Sequence, residues 1–339
     1  MSPSRILQQV LASAGLADLG DRAVRGARLA RDELLRVVSC GSPLAAAALA
    51  DAAREHASGA VVLHPWTLRV RAPGVPFAAE DATRVSHAAD ALGGIASSEA
   101  QIVGALPPDL PLGLALEMVR TVKVARPDLT LRAFSARRID AIAAAEGSDA
   151  RHVLGELRRA GLDTLDWEPG EGSDLRTIAV HRLAFDQGYE TAVPVGYAKG
   201  GVDAAFVDRL LAVRDAAEHA GRVLSVVPLP DRSEGASPLD GTAGTEDLLA
   251  CALARLALGH CVKHVTVDAH VTGHKLAALL FSAGADDVVG AQTASRWAPP
   301  SGDGPRPLNP DRMRRVVIEA RRSPELRDAL FRTCTASAG

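Results

Sequence analysis

The densest run of chemically capable side chains is HCVKHVTVDAHVTGH, which holds His260, Cys261, His264, Asp268, His270 and His274. His270 and His274 are four apart, a spacing that would present two imidazoles to one metal if the segment were helical. His264 and Asp268 fall instead on a predicted strand. They share a face there, but are spread along about 13 Å of it. That spread suits hydrogen bonding at the end of a strand better than coordination, and no metal site is assigned. A second candidate is the loop Gly196-Tyr-Ala-Lys-Gly-Gly201, whose lysine could meet a phosphate. It lacks the full GxxxxGK[ST] pattern, so a helix-entry turn is the favoured reading. Gly-x-Ser-x-Gly is absent, and no Ser–His–Asp set can be assigned. The four cysteines, Cys40, Cys251, Cys261 and Cys334, form no CxxC. Their scatter reads as reduced thiols in a cytosolic chain, not as a disulfide framework or a local metal loop.

These side chains need elements to carry them. The 339 residues are 47% hydrophobic and only 3% aromatic, so aliphatic residues must build the core. A net charge of −3 leaves no basic excess to neutralise a phosphate backbone, which argues against nucleic acid as a partner. The N-terminus lacks the basic and apolar regions of a signal peptide. No apolar run is long enough to predict a membrane span. Residues 4–57 read as helical, with Gly41-Ser-Pro43 opening the last helix. From residue 60 apolar strands alternate with helices. The strands are expected at 60–70, 101–106, 129–134, 162–165, 191–195, 222–229, 262–268 and 287–290. Helices are expected between them, including 80–92, with two more after 312, at 313–321 and 324–333. Seven or eight such repeats with buried apolar strands predict a parallel sheet closed as a (β/α)8 TIM-type barrel. The predicted organisation is an N-terminal helical segment (1–57), the barrel (58–293), and a loop with C-terminal helices (294–339).

In such a barrel chemistry belongs at the carboxyl ends of the strands. That rule selects His64, Trp66 and Arg69 on strand one, and Ser135, Arg137 and Arg138 after strand three. It adds Asp166, Trp167, Glu168 and Glu171 after strand four, Tyr197 and Lys199 after strand five, and Asp231, Arg232 and Glu234 after strand six. Strand seven contributes Asp268, His270 and His274. The mouth carries both signs, and Arg69, Arg137 or Lys199 could hold a small anion.

The segments AQIVGALPPDLPLGLALEMVRTVKVARPDLTLRAFSARRID, HVLGELRRAGLDTL and HVTVDAHVTGHKLAALLFSAGADDVVGA make the pattern more specific. Together they resemble the radical S-adenosylmethionine enzymes of the futalosine menaquinone pathway and their FO synthase relatives, over roughly residues 5–333. The resemblance implies a radical-enzyme barrel, and a cofactor pocket touching Gly104, Ser135 and Glu171. It also implies a CxxxCxxC loop after strand one, whose thiolates would hold a [4Fe–4S] cluster. Here that stretch reads RAPGVPFAAEDATRV, and no cysteine lies between Cys40 and Cys251. Ala105 stands for the second glycine of the family's Val-Gly-Gly strand end, and Pro107 for its turn histidine. Asp166-Trp-Glu-Pro-Gly170 replaces a glycine-rich stretch, Thr266-Val-Asp-Ala269 an aromatic one, while Glu171 keeps the acidic position.

Two expectations follow. The first is a barrel without its [4Fe–4S] site, a pseudoenzyme acting as a binding or accessory subunit. Its partner would be a cluster-bearing homologue, and residual S-adenosylmethionine or nucleoside binding could persist. The second is a repurposed non-redox lyase or hydrolase for a small anionic substrate, using His64, Arg69, Glu168, Asp268 and His270 as acids, bases or anion holders.

Overall fold

The computed structural model describes residues 5–71, 96–104, 106–107, 109–168, 170–198, 200–231, 244–291 and 309–336. The expected helix at 80–92, and Lys199, Arg232 and Glu234, lie outside the described residues. Four helices lead the chain: α1 (Arg5–Ser13), α2 (Gly20–Val24), α3 (Arg31–Ser39) and α4 (Pro43–Ser58). Pro43 occupies the first turn of α4, where its missing N–H costs nothing, and Ser42 caps the helix through Ala45 N.

The strands are β1 (Val61–Pro65), β2 (Thr67–Arg71), β3 (Glu99–Val103), β4 (Thr130–Ser135), β5 (Thr164–Asp166), β6 (Thr191–Tyr197), β7 (Val223–Pro230), β8 (His264–Asp268), β9 (Asp287–Val289) and β10 (Ser323–Arg327). Between and after them run α5 (Leu112–Ala125), α6 (Ala136–Ala145), α7 (Ala150–Ala160), α8 (Leu175–Asp186), α9 (Ala204–Ala220), α10 (Gly244–Leu258), α11 (Ala269–Thr272), α12 (His274–Leu280) and α13 (Pro310–Glu319). All paired strands are parallel, in the orders β10-β1-β9-β8-β7-β6 and β2-β3-β4-β5.

The two sheets meet twice. β1 and β2 are one bent strand broken at Trp66, so its first half joins β9 and its second half joins β3. At the other seam the Thr164 hydroxyl donates to the carbonyl of Glu190, just before β6, at 2.7 Å. The fold is the predicted TIM-type α/β barrel, in which alternation sorts the side chains. Val62, Val193, Val226, Val265 and Val288 point to the helices and join the larger core with α1–α4, α9 and α10. Leu68, Ala100, Ile102, Leu131 and Leu165 form a second core beneath α5–α8. The residues between them face the lumen.

The C-terminal segment corrects the sequence reading. Residues 310–319 are helical, but 323–327 form β10 and not a second helix. β10 lies against β1 in parallel, from Val61↔Ser323 to Pro65↔Arg327. The Leu326, Ala329 and Leu330 spacing suggests a helix, but pairing to β1 and the ion pairs of Arg327 inside the barrel outweigh that weak local preference. Among the described residues no helix is long and apolar enough to cross a membrane.

Candidate functional site

The lumen carries a chain of polar side chains from its amino end to its mouth, beside an apolar wall of Ala192, Val227, Leu229 and Val289. Glu99 on β3 is fully buried and accepts from the Thr67 hydroxyl at 2.8 Å, Arg132 Nη2 at 3.0 Å and Arg327 Nη1 at 3.3 Å. Arg132 on β4 also donates Nη1 to Asp166 at 2.7 Å, and Gln101 Nε2 reaches the other oxygen of Asp166 at 2.7 Å. Burial works against the Arg132 charge, but Asp166 and Glu99 outweigh it and hold the guanidinium firmly protonated. Arg132 lies 4.5 Å over the ring of Trp167, whose Nε1 donates to Asp268 at 2.9 Å. Asp268 caps α11 by accepting from His270 N at 2.9 Å. An ion-pair and stacking chain thus crosses the barrel from β3 to β8.

Arg69 and His270 sit at the upper end of this chain. Burial lowers the Arg69 pKa, with Asp166 opposing the shift. Its Nε is buried with no hydrogen-bond partner among the described residues. Burial also lowers His270; Asp268 opposes the shift, while Arg69 and Arg132 add to it. Burial thus favours the neutral imidazole of His270 beside a carboxylate and a half-buried guanidinium, an arrangement able to accept a proton next to a bound anion.

The other predicted residues fall elsewhere. His64 shares the parity of Val62, which places it on the helix-facing side of β1, and Arg314 of α13 is among the charges that lower its pKa after burial. Alternation alone carries this signal: positions 64 and 69 cannot both face the lumen of one strand. Glu168 is about one-third exposed, 3.6 Å from Arg138, and its N–H donates to Glu171. Ser135 is buried and caps α6 through Arg138 N at 3.1 Å. Before it, Phe134 adopts φ 54 at a bulge between β4 and β5, a left-handed conformation rare for a bulky residue. Gly104 ends β3 at φ 138. Gly196 allows the loop after β5 to lie directly on β6, since a Cβ there would meet the Glu171 carbonyl at 2.7 Å. Tyr197 points away from the lumen and donates to Asp247 of α10 at 2.5 Å. His270 and His274 belong to separate helices broken at Gly273, so the continuous turn needed for i,i+4 ligation does not form.

Glu171 accepts from Arg137 N at 2.9 Å and Glu168 N at 3.1 Å, yet burial dominates and pushes its carboxyl up to about 7. A carboxyl raised on folding contributes stability below its unfolded pKa, which is lost as pH rises through the folded value. The barrel should therefore lose on the order of 2–3 kcal/mol between pH 4.5 and 7 from this group. His181 works on the acid side. It is fully buried, bonded through Nδ1 to Thr191 at 2.8 Å, and lowered to about 3 by burial. Its contribution is present above pH 6.5 and lost as pH falls toward 3. Urea midpoints across pH 4.5–8 check this: Glu171→Gln should flatten the alkaline limb and leave the acid limb unchanged.

The lumen residues that the sequence reading missed are Glu99, Gln101, Arg132, Asp287 and Arg327. Their signal was a charged or amide residue inside an otherwise apolar strand, as in EAQIV and TLRAF. The four cysteines lie on separate elements. Cys251 is buried and donates to the Leu280 carbonyl at 3.8 Å, Cys40 follows α3, Cys261 precedes β8 and Cys334 follows β10.

Comparison with known proteins locates this barrel among its relatives. No protein-family model matches the chain. A 5-amino-6-(D-ribitylamino)uracil–L-tyrosine 4-hydroxyphenyl transferase of Methanopyrus kandleri is 27% identical over 264 residues, 69% of each chain. An aminodeoxyfutalosine synthase of Streptomyces coelicolor is 30% identical over 229 residues, 60% of this chain and 59% of the relative. Among solved structures, methylornithine synthase superposes with a TM-score of 0.64 at 16% identity, covering 90% of this chain and 97% of the other. The FeFe-hydrogenase maturase from Carboxydothermus hydrogenoformans gives 0.60 at 13% identity, over 96% and 85%. The chain is thus similar in sequence to aminodeoxyfutalosine synthases, FO synthases and 4-hydroxyphenyl transferases, and shares the fold of methylornithine synthase.

Proposed function

We propose that this protein is a non-radical member of that group, a binding or accessory subunit whose partner is a cluster-bearing homologue. The donor set carries the reading. A cluster of the implied kind needs three thiolates on one loop, and residues 41–250 contain no cysteine. The residues present do not fit that group, and no step is assigned to it. The lumen supports the same reading, since Arg132 stacked on Trp167 and paired with Asp166 and Glu99 places fixed, mutually satisfied groups across the barrel.

Anaerobic reconstitution followed by iron and sulfide analysis should give less than one cluster per chain. A stoichiometric cluster that cleaves S-adenosylmethionine would overturn the proposal. Co-purification with a cluster-bearing relative of the aminodeoxyfutalosine synthase type is the expected result for an accessory subunit.

Arg69 and His270 favour a second reading, a non-redox lyase or hydrolase acting on a small anion. A binding screen with S-adenosylmethionine, adenosine and aryl carboxylates separates the two. Arg69→Ala should weaken carboxylate binding by about 1.5–3 kcal/mol, the worth of a charge-assisted hydrogen bond. Turnover of a bound compound that is lost in His270→Ala, with binding kept, would make the protein an enzyme.

A further inference from the structure

Outside the lumen, three potential metal ligands converge where the N-terminal helices meet the barrel. Glu218 near the end of α9, and His260 and Cys261 in the turn between α10 and β8, each bring one donor atom within 4.8 Å of the others. His260 Nε2 already lies 2.8 Å from Glu218 Oε1. We infer that Glu218, His260 and Cys261 form a site for a zinc-class divalent cation, independent of the barrel mouth.

The donor chemistry fits such an ion. A thiolate, a carboxylate and a neutral imidazole balance a divalent charge, and sulfur with nitrogen selects borderline-soft metals over magnesium or calcium. Tetrahedral zinc would set the donors about 3–4 Å from one another, so adjustments of at most roughly 1 Å at the ends of the side chains suffice, with the His260–Glu218 pair opening slightly. His260 Nδ1 has no hydrogen-bond partner among the described residues. On its other side the imidazole borders a cavity of about 270 Å³ shared with His56 and Arg25.

A resident cation now occupies part of this place. Arg28, from the link between α2 and α3, donates Nε to the same Glu218 oxygen at 2.8 Å. A metal must displace that guanidinium and the Cys261 proton. A thiol must lose its proton to bind a metal, so proton release is part of the exchange. Arg28 is thus a built-in competitor for the site.

Titration of the full chain with cobalt(II), a spectroscopic stand-in for zinc, tests the assignment. The expected result is one equivalent with thiolate-to-cobalt charge-transfer absorption that is bleached by added zinc. Cys261→Ser should lose the band and Cys334→Ser keep it, while Arg28→Ala should bind more tightly than the parent. Absence of the band, its survival in Cys261→Ser, or weaker binding by Arg28→Ala would each overturn the site. Circular dichroism of each variant separates lost ligation from lost folding.

Discussion

Replacing Arg132 with methionine should cost the fold about 3–5 kcal/mol, the usual penalty for removing one partner of a buried ion pair. Glu99 is fully buried, and Asp166 is 8% exposed. Without Arg132, Asp166 keeps only the amide of Gln101 at 2.7 Å, and Glu99 keeps Thr67 and the longer contact to Arg327. The methionine fills much of the volume, so the loss reports stranded charge more than a cavity. Urea denaturation followed by circular dichroism and tryptophan fluorescence measures it, because Trp167 loses the cation above its ring in the same step. Asp166→Leu in the Arg132→Met background should restore part of the loss, since it removes a carboxylate that no longer has its cation. A single-variant cost below about 1 kcal/mol would mean that Asp166 is held by water and Gln101 alone.

The consequence for function follows from the same geometry. Arg132 and Trp167 lie between the amino-end charges and the mouth where Arg69 and His270 sit. A protein that bound a large nucleoside deep in the lumen would have to move this pair. One that binds a small anion at the mouth can leave it in place. Binding of adenosine that strengthens in Arg132→Met would favour the former, and loss of anion binding with the stack intact in Arg69→Ala the latter.

The barrel was legible in the sequence because its strands repeat a local signal, short runs of Val, Leu and Ala closed by turns, and that signal does not depend on distant partners. The lumen was legible only in part. Asp268 and His264 were read to one face correctly, because alternation is local. Their partners, Trp167 for Asp268 and Asp286 for His264, lie on other repeats, and no spacing rule reaches across 101 or 22 residues. Arg132 and Arg327 were passed over for the opposite reason. Each sits in a segment whose neighbours are apolar or helix-prone, and its role comes from carboxylates that only the closed barrel supplies. His64 shows that the strand-end rule needs parity beside it: residue type and position near the mouth selected it, while it shares the face of Val62, which belongs to the helix-side core.

The C-terminal strand gives the other large expected effect. Arg327→Met should cost about 3–5 kcal/mol on the same buried-pair argument. Its Nε and Nη2 form a two-pronged pair with Asp287 at 2.6 and 2.8 Å, and Asp287 is fully buried with only the Thr266 hydroxyl, at 2.8 Å, as a further side-chain donor. The guanidinium also lies 3.9 Å from the centre of the Phe331 ring, which stacks at 5.3 Å on His264. Beyond it, Ala329 N donates to Thr130 at the start of β4. The segment thus lies along all of β1 and touches β3, β4, β8 and β9 at their amino ends. Ending the chain at Arg322 removes all of these contacts at once, leaves the β1 edge unpaired and Asp287 without its cation, and leaves Glu99 with Arg132 as its remaining cation. That truncation should lower the urea midpoint by more than Arg327→Met does, and hydrogen exchange should rise first in β1 and β9. If it instead left stability unchanged, the strand would be an ornament on β1, and ligands could reach the lumen from both ends. Among the described residues this segment covers the amino end, opposite the mouth where Arg69 and His270 stand.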